Sequence, residues 1–230
     1  MDHVSLCECD NCDLKDLFFG FVDPEEVDSM CKTRVEKTYQ KGEEIIMAGN
    51  LISDFIYLKS GLVKLFRTDS HGKSQIIAIG KPMDFVSLMS VFSDEEYKYS
   101  VSALEQSTVC IIELSKVTDL AAHNGKFALG VMRKMSRISD NIILDFLEIR
   151  KKQLRGRIAH VILMFSKDVF NSSVFDLPIS RKEFAEFIGM TTENVIRTLS
   201  EFRKDKLLRI YGKSIEIVNM EMLERISEHG

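Results

Sequence analysis

The sequence predicts an α+β protein built as an N-terminal antiparallel β-roll, a long dimerisation helix and a C-terminal winged helix-turn-helix. Three observations carry this expectation. Between residues 41 and 125, short runs rich in β-branched and aromatic residues alternate with glycine turns. From Phe127 to Ile149 a helical pattern runs without a proline. From Ile179 onward two short amphipathic helices meet at Gly189-Met190-Thr191, and two apolar runs then flank Tyr211-Gly212-Lys213.

The expected parts are a cysteine-containing segment with a helix at 1–40, the roll at 41–125, the dimerisation helix at 126–149 and the winged helix-turn-helix at 150–230. A chain of 230 residues has room for two ordinary domains, and 45% hydrophobic with 29% charged residues is usual for a globular protein. No apolar run approaches the roughly 20 residues that span a bilayer. Met1-Asp2-His3 does not open a basic-then-apolar secretory signal. A cytoplasmic protein with no membrane partner is therefore expected. In a reducing compartment its five cysteines point to thiol or metal chemistry rather than disulfides.

The opening strip Cys7-Glu8-Cys9-Asp10-Asn11-Cys12 places three thiols where they can converge on one ion or cluster. Four thiolates are the usual set for an iron–sulfur cluster or a structural zinc, so a fourth ligand must come from elsewhere. Cys110 lies in the strand-like run Thr108-Val109-Cys110-Ile111-Ile112, and Cys31 shares a helix face with Val27 and Met30. Each reads on its own as a small buried hydrophobe.

The roll's strands are expected at Ile45-Ile46, Phe55 to Leu58, Leu62 to Phe66, Gln75 to Ile79, Val101 to Leu104 and Thr108 to Leu114. In the long helix Val131, Met135, Ile138 and Ile142 step by four, three and four, with Met132, Phe146 and Ile149 on adjoining rows. Two apolar faces suggest two partners. One covers the roll, and the other, assigned to Val131, Met135, Ile138 and Ile142, pairs with the same helix of a second chain.

In the C-terminal part Gly189 suits a left-handed helix end, Ala185 is small where two helices cross, and Thr191 or Thr192 can cap the second helix. Charge separates this hairpin from an ordinary helix pair. Arg150 to Lys213 holds 14 Lys+Arg against 7 Asp+Glu, a local +7 on a chain of net charge −4, so the remainder is strongly acidic. Phosphate binding needs only that local excess, and double-stranded DNA is the expected partner. No phosphate loop or nucleophile motif is present and the histidines are scattered singly, so no enzymatic activity is expected.

These residues together resemble the CRP/FNR transcriptional regulators. Lys41-Gly42-Glu43 with Gly49 and Phe55-Ile56-Tyr57 through Ser60-Gly61 and Val63 is similar to the family's cyclic-nucleotide-binding roll. Phe127 to Ile149 is similar to its dimer helix, Gly156-Arg157-Ile158-Ala159 to the start of its DNA-binding domain, and Thr191 to Arg197 to its recognition helix. Departures from the cyclic-AMP branch matter more than the matches. That branch carries a Gly-Glu-Leu segment and an Arg-Ser pair for the cyclic phosphodiester. Here the corresponding stretches read Met83-Asp84-Phe85 and Tyr97-Lys98-Tyr99-Ser100, without the arginine.

Lys81 to Val86 and Glu105 to Cys110 resemble instead the branch that senses oxygen with a [4Fe-4S] cluster. The resemblance implies Cys9, Cys12 and Cys110 as ligands. Phe18 stands where the family has another cysteine, so Cys7 would have to serve in its place. Zinc, and a metal-free N-terminus, remain open beside the cluster.

For DNA the resemblance aims Glu193 and Arg197 at bases, where arginine can fork onto guanine and a carboxylate can accept from a cytosine amino group. Thr192 stands where the cyclic-AMP branch has an arginine, which implies TTGA-like rather than TGTGA half-sites in a palindrome. Ser180, Arg181, Thr191, Asn194 and Lys213 are the expected phosphate contacts. A homodimer that works with RNA polymerase is the reading so obtained. Its alternatives are the same scaffold sensing a metabolite or nucleotide in the roll, and a metal-thiolate redox protein without DNA function.

Overall fold

The computed structural model describes residues 34–93 and 95–230. Cys7, Cys9, Cys12, Phe18 and Cys31 lie outside the described residues. The chain divides into two compact units, Met1–Arg67 with Ala78–Asn141, and Thr68–Ile77 with Ile142–Gly230.

The roll consists of β1 (Val35–Tyr39), β2 (Glu44–Ile46), β3 (Asp54–Ser60), β4 (Val63–Thr68), β5 (Ser74–Gly80), β6 (Ser100–Ala103) and β7 (Ser107–Glu113). They form one sheet ordered β1-β7-β3 and another ordered β2-β6-β4-β5. Each expected run coincides with a strand to within one or two residues. Strand β1, Val35-Glu36-Lys37-Thr38-Tyr39, was not expected; it pairs antiparallel with β7 from Val35↔Ile111 to Tyr39↔Ser107.

The β1-β7-β3 sheet is buried on both faces, as the period-two alternation of its strands requires. Ile56, Leu58 and Val109 point into the core between the sheets, with Val63, Val101 and Tyr99. Phe55, Tyr57, Cys110 and Ile112 form a second core with Phe85, Leu88 and two helices. These are α1 (Leu114–His123), which sequence reasoning did not separate from the strand before it, and α2 (Gly125–Lys151). Asn124 Oδ1 accepts from Phe127 N at 3.0 Å and so satisfies an amide at the start of α2.

The long helix matches its expected span, but its faces are distributed differently from the expected seam. Val131 is only 4% exposed and belongs to the core under the roll, and Met135 and Ile138 pack against that same core. The row left open carries Leu129, Met132, Ile143, Phe146 and Leu147, with Met132 60% exposed. Helical periodicity gives the rows but cannot say which one the chain's own roll will cover.

The second unit continues with α3 (Leu154–Met164), a π-helical turn (Phe165–Val169), β8 (Val174–Asp176), α4 (Arg181–Ile188), α5 (Thr192–Lys204), β9 (Leu208–Tyr211), β10 (Ser214–Ile217) and α6 (Met220–His229). Its sheet is ordered β8-β10-β9, so the expected two-stranded wing gains a third strand. Phe165, Phe184, Phe202, Ile158, Ile162 and Leu223 fill its core. Among the described residues no helix is long and apolar enough to cross a membrane.

Candidate nucleic-acid interface

Local rules alone build the helix pair. Ser180 caps α4 reciprocally: its Oγ accepts from Glu183 N at 3.2 Å, and Glu183 Oε2 accepts from Ser180 N at 2.8 Å. Gly189 ends the helix at φ 68°, a left-handed conformation that a side chain would strain. Two residues on, Thr191 Oγ1 accepts from Asn194 N at 3.3 Å and starts α5. The two helices are in contact, and Phe184, Ala185 and Ile188 of the first and Val195, Leu199 and Phe202 of the second are all buried. The partly positive N-terminus of α5 is thereby left at an exposed tip.

Outward from α5 stand Glu193, Ile196 and Arg197, all exposed, with Thr192 half-buried at the same end. The carboxyl of Glu193 is held below its ordinary range, first by its own backbone amide and then by the Thr191 hydroxyl. Arg197 Nη2 donates to Asn194 Oδ1 at 3.1 Å, and its Nε lies 3.9 Å from Glu201 Oε1. Ile196, 51% exposed between the two charged residues, escaped the sequence reading. The signal was present as a β-branched residue one place off the buried Val195–Leu199 row.

The wing turns at Gly212, φ 62°, in the two-residue hairpin between Tyr211 and Ser214. Lys213 bridges Asp176 at 2.8 Å, which raises the ammonium pKa and lowers that of the carboxyl. Arg181 Nη2 donates to Gly212 O at 3.2 Å and so ties the first turn of α4 to the wing; burial lowers its pKa. The expected phosphate contacts thus have intramolecular duties first. Ser180 and Thr191 are caps, Asn194 holds Arg197, and Arg181 and Lys213 secure the wing.

Two further arginines hold this module together: Arg155, read from sequence only as charge, and Arg157, read as part of the Gly156-Arg157-Ile158-Ala159 match. Arg157 donates through Nε to Lys152 O at 2.8 Å, through Nη1 to Ile188 O at 3.0 Å and through Nη2 to Arg150 O at 3.1 Å. One guanidinium therefore gathers carbonyls from the ends of α2 and α4, where the helix dipoles favour a cation. Arg155 reaches α5, bonding Glu201 at 3.0 Å and Asp205 at 2.8 Å.

The candidate metal ligands divide. Cys7, Cys9 and Cys12 lie outside the described residues, and no cluster of three His, Cys, Asp or Glu suited to a metal occurs among the described residues. Cys110 is wholly buried on β7, the central strand of its sheet, and its thiol donates to Glu36 Oε1 at 3.8 Å. That carboxylate also bridges Lys59 at 2.7 Å. Ligation would require this thiol proton to leave.

Two family models match the chain. Residues 36–124 match the cyclic nucleotide-binding domain model and residues 156–226 the Crp-like helix-turn-helix domain model. The fumarate and nitrate reduction regulatory protein of Vibrio cholerae is 28% identical over 223 residues, covering 94% of this chain and 89% of that protein. The transcriptional activator protein FnrA of Stutzerimonas stutzeri is 28% identical over 219 residues, covering 92% and 88%. Among solved structures, FixK2 from Bradyrhizobium japonicum superposes with a TM-score of 0.76 at 22% identity, covering 84% of this chain and 97% of that one. With a roll on the N-terminal side, a capped helix-turn-helix and wing on the other, and relatives named as FNR regulators, the chain belongs to the CRP/FNR family of DNA-binding transcription regulators, on its FNR-like side.

Proposed function

We propose that this regulator binds a palindromic site as a homodimer, each copy placing the N-terminal end of α5 in the major groove over a TTGA-like half-site. Regulators of the family bind DNA and act as dimers. The observation that carries the reading is the exposed start of α5, where Glu193 and Arg197 stand one turn apart just after the Thr191 cap. In this reading Arg197 forks onto guanine, Glu193 accepts from cytosine, and Thr192 sits at the same end without an arginine's reach. Ser180, Arg181, Thr191, Asn194 and Lys213 set the register on phosphates, with Lys213 exchanging Asp176 for a phosphate oxygen. The open row on α2 supplies the homodimer contact, and RNA polymerase is the further partner.

Binding to duplexes with each half-site base substituted in turn tests this. Arg197→Ala is expected to lose about 1 to 3 kcal/mol of discrimination while keeping weak, salt-sensitive binding. Equal loss on specific and random duplexes would remove Arg197 from the base-reading role.

For the signal, the three thiols at Cys7, Cys9 and Cys12 support a cluster completed by Cys110. Such a cluster supplies oxygen-labile iron chemistry, and the chain's part is to present thiolates, Cys110 from the floor of the roll's second core. Iron and sulfide assays on anaerobically purified protein and on Cys110→Ser test it; a colourless, iron-free protein that binds DNA fully would end it. A second reading rests on Ser90 Oγ and Tyr99 OH. Both are buried in the roll without a well-formed hydrogen bond among the described residues, as a small polar effector would find them.

A further inference from the structure

A chain of charges runs from the first turn of α3 to the residue assigned to guanine. The Arg155 guanidinium lies over the Phe202 ring, 4.9 Å from its centroid. Its Nη2 donates to Asp205 Oδ2 at 2.8 Å and its Nη1 to Glu201 Oε2 at 3.0 Å. Phe202 is fully buried, so the ring is a fixed platform, and two carboxylates, Glu201 on α5 and Asp205 at its C-terminal cap, then hold the guanidinium that covers it. Glu201 is fixed in turn through one oxygen. Its other oxygen, Oε1, faces Arg197 Nε at 3.9 Å. From the opposite side Asn194 Oδ1 accepts from Arg197 Nη2 at 3.1 Å. Arg197 is thus held by groups one turn before it and one turn after it on its own helix.

We propose that Glu201, anchored by Arg155, is a positioning residue for sequence reading: it holds the Arg197 guanidinium for a base edge and away from neighbouring phosphates. The inference rests on the reading of Arg197 as a base contact. Two physical effects follow from the geometry. A long side chain that is already restrained loses less rotamer freedom when it forks onto a base, so specific binding gains. A carboxylate beside the groove repels phosphates and occupies the arginine, so binding to random sequence weakens. The two effects have opposite signs on specific and random DNA, which a merely structural residue would not produce. Because the Arg197 and Glu201 side chains are 67% and 42% exposed, their attraction is screened, and the effect is severalfold rather than orders of magnitude.

The test uses the full chain and fluorescence anisotropy over a range of salt. The probes are a TTGA-type palindrome, the same duplex with the guanines replaced, and a random duplex. Glu201→Gln is expected to lower the ratio of cognate to substituted affinity about three- to fivefold. It should also steepen the salt dependence on random DNA by about one ion, as the released Arg197 finds a phosphate. Arg155→Gln, which loosens Glu201 without touching Arg197, should move both readouts the same way by less. Glu201→Asp, which keeps the charge but shortens the reach, should fall between Glu201→Gln and the parent. If Arg197→Ala loses discrimination while Glu201→Gln and Arg155→Gln leave ratio and salt slope unchanged, the positioning role is overturned. If Arg197→Ala keeps its discrimination, the base-reading assignment falls and this inference with it. Thermal midpoints within a few degrees of the parent confirm that the variants are folded; should Glu201→Gln unfold, Arg155→Gln and Glu201→Asp decide the outcome by the same two readouts.

Discussion

The two sides of α2 carry similar side chains and meet opposite fates. Phe127 and Val131, with Met135 and Ile138 beside them, are closed against the core under the roll. Leu129 and Met132 beside them, and Ile143, Phe146 and Leu147 further along the helix, stay open to solvent. Isolated exposed apolar residues need no explanation, but a row of five along one helix does. An apolar face closed by its own chain supports the fold, whereas one left open is available for association.

The sharpest way to break this comparison is to cut each side separately. Phe127 is 1% exposed, and Phe127→Ala is expected to cost about 3 to 5 kcal/mol of stability, read as a lower urea midpoint. A loss under about 1 kcal/mol would mean that the roll side of the helix is not closed as described. Glutamates at Ile143 and Phe146 together should leave that midpoint nearly unchanged. They should instead yield monomers by light scattering and weaken binding to a palindrome about a hundredfold, since the second half-site no longer acts as a tethered partner. A double variant that remains dimeric would place the pairing surface on another row.

How much of this was legible in the sequence depends on whether a feature is local. The helix-turn-helix was legible because Gly189 and Thr191 each act within four residues of themselves, although the Ser180 cap, equally local, went unread. Strand β1 was hidden because its partner, β7, lies some seventy residues away; the side-chain bond between Thr38 and Thr108 spans 70 positions. The open row of α2 was hidden for a related reason, since the roll chooses which row it covers. In the site, Glu193 and Arg197 could be found from their spacing, but Arg155 and Glu201, 46 positions apart, carry no mark of their pairing. The wing's lysine was visible, while its Asp176 partner became apparent only with the unexpected third strand.

The closed interior can be probed further through its few polar groups. Tyr97 and Tyr99 are both pushed up to about 12, chiefly by burial, with Asp54 adding to the effect on Tyr97. The Ser90 hydroxyl lies near the Tyr99 hydroxyl and opposes its rise, but the geometry between them is too poor for a hydrogen bond and offsets only part of it. A pKa raised in the folded state means that stability is intact below about pH 10 and is lost as pH climbs from there toward 12, where the folded-state hydroxyls also ionise. For Tyr99 the loss stays below about 1.4 kcal/mol per pH unit. Tyr99→Phe should flatten the alkaline decline of the urea midpoint without lowering it at pH 8. An unchanged decline would mean that Tyr99 is hydrated in solution.

The smallest expected effect extends the comparison from α2 to α5. Val195 and Leu199 close the inner side of the recognition helix, and Ile196 is left 51% exposed between Glu193 and Arg197. By the same logic an open apolar side chain on a DNA-facing helix awaits an apolar surface, and in the major groove the thymine C5-methyl provides one. The contact joins roughly one methyl on each side, so it is worth about 0.8 kcal/mol, or three- to fourfold in affinity. Replacing thymine by deoxyuridine at single half-site positions removes the methyl and leaves the base pair otherwise intact. The parent protein should lose about three- to fourfold at one position of each half-site and little elsewhere. Ile196→Ala should bind more weakly to the thymine duplex and show no further loss with deoxyuridine at that position, because both partners of the contact are then gone. If the two losses simply add, Ile196 does not meet a thymine methyl, and its exposure on α5 is that of an ordinary scattered surface residue.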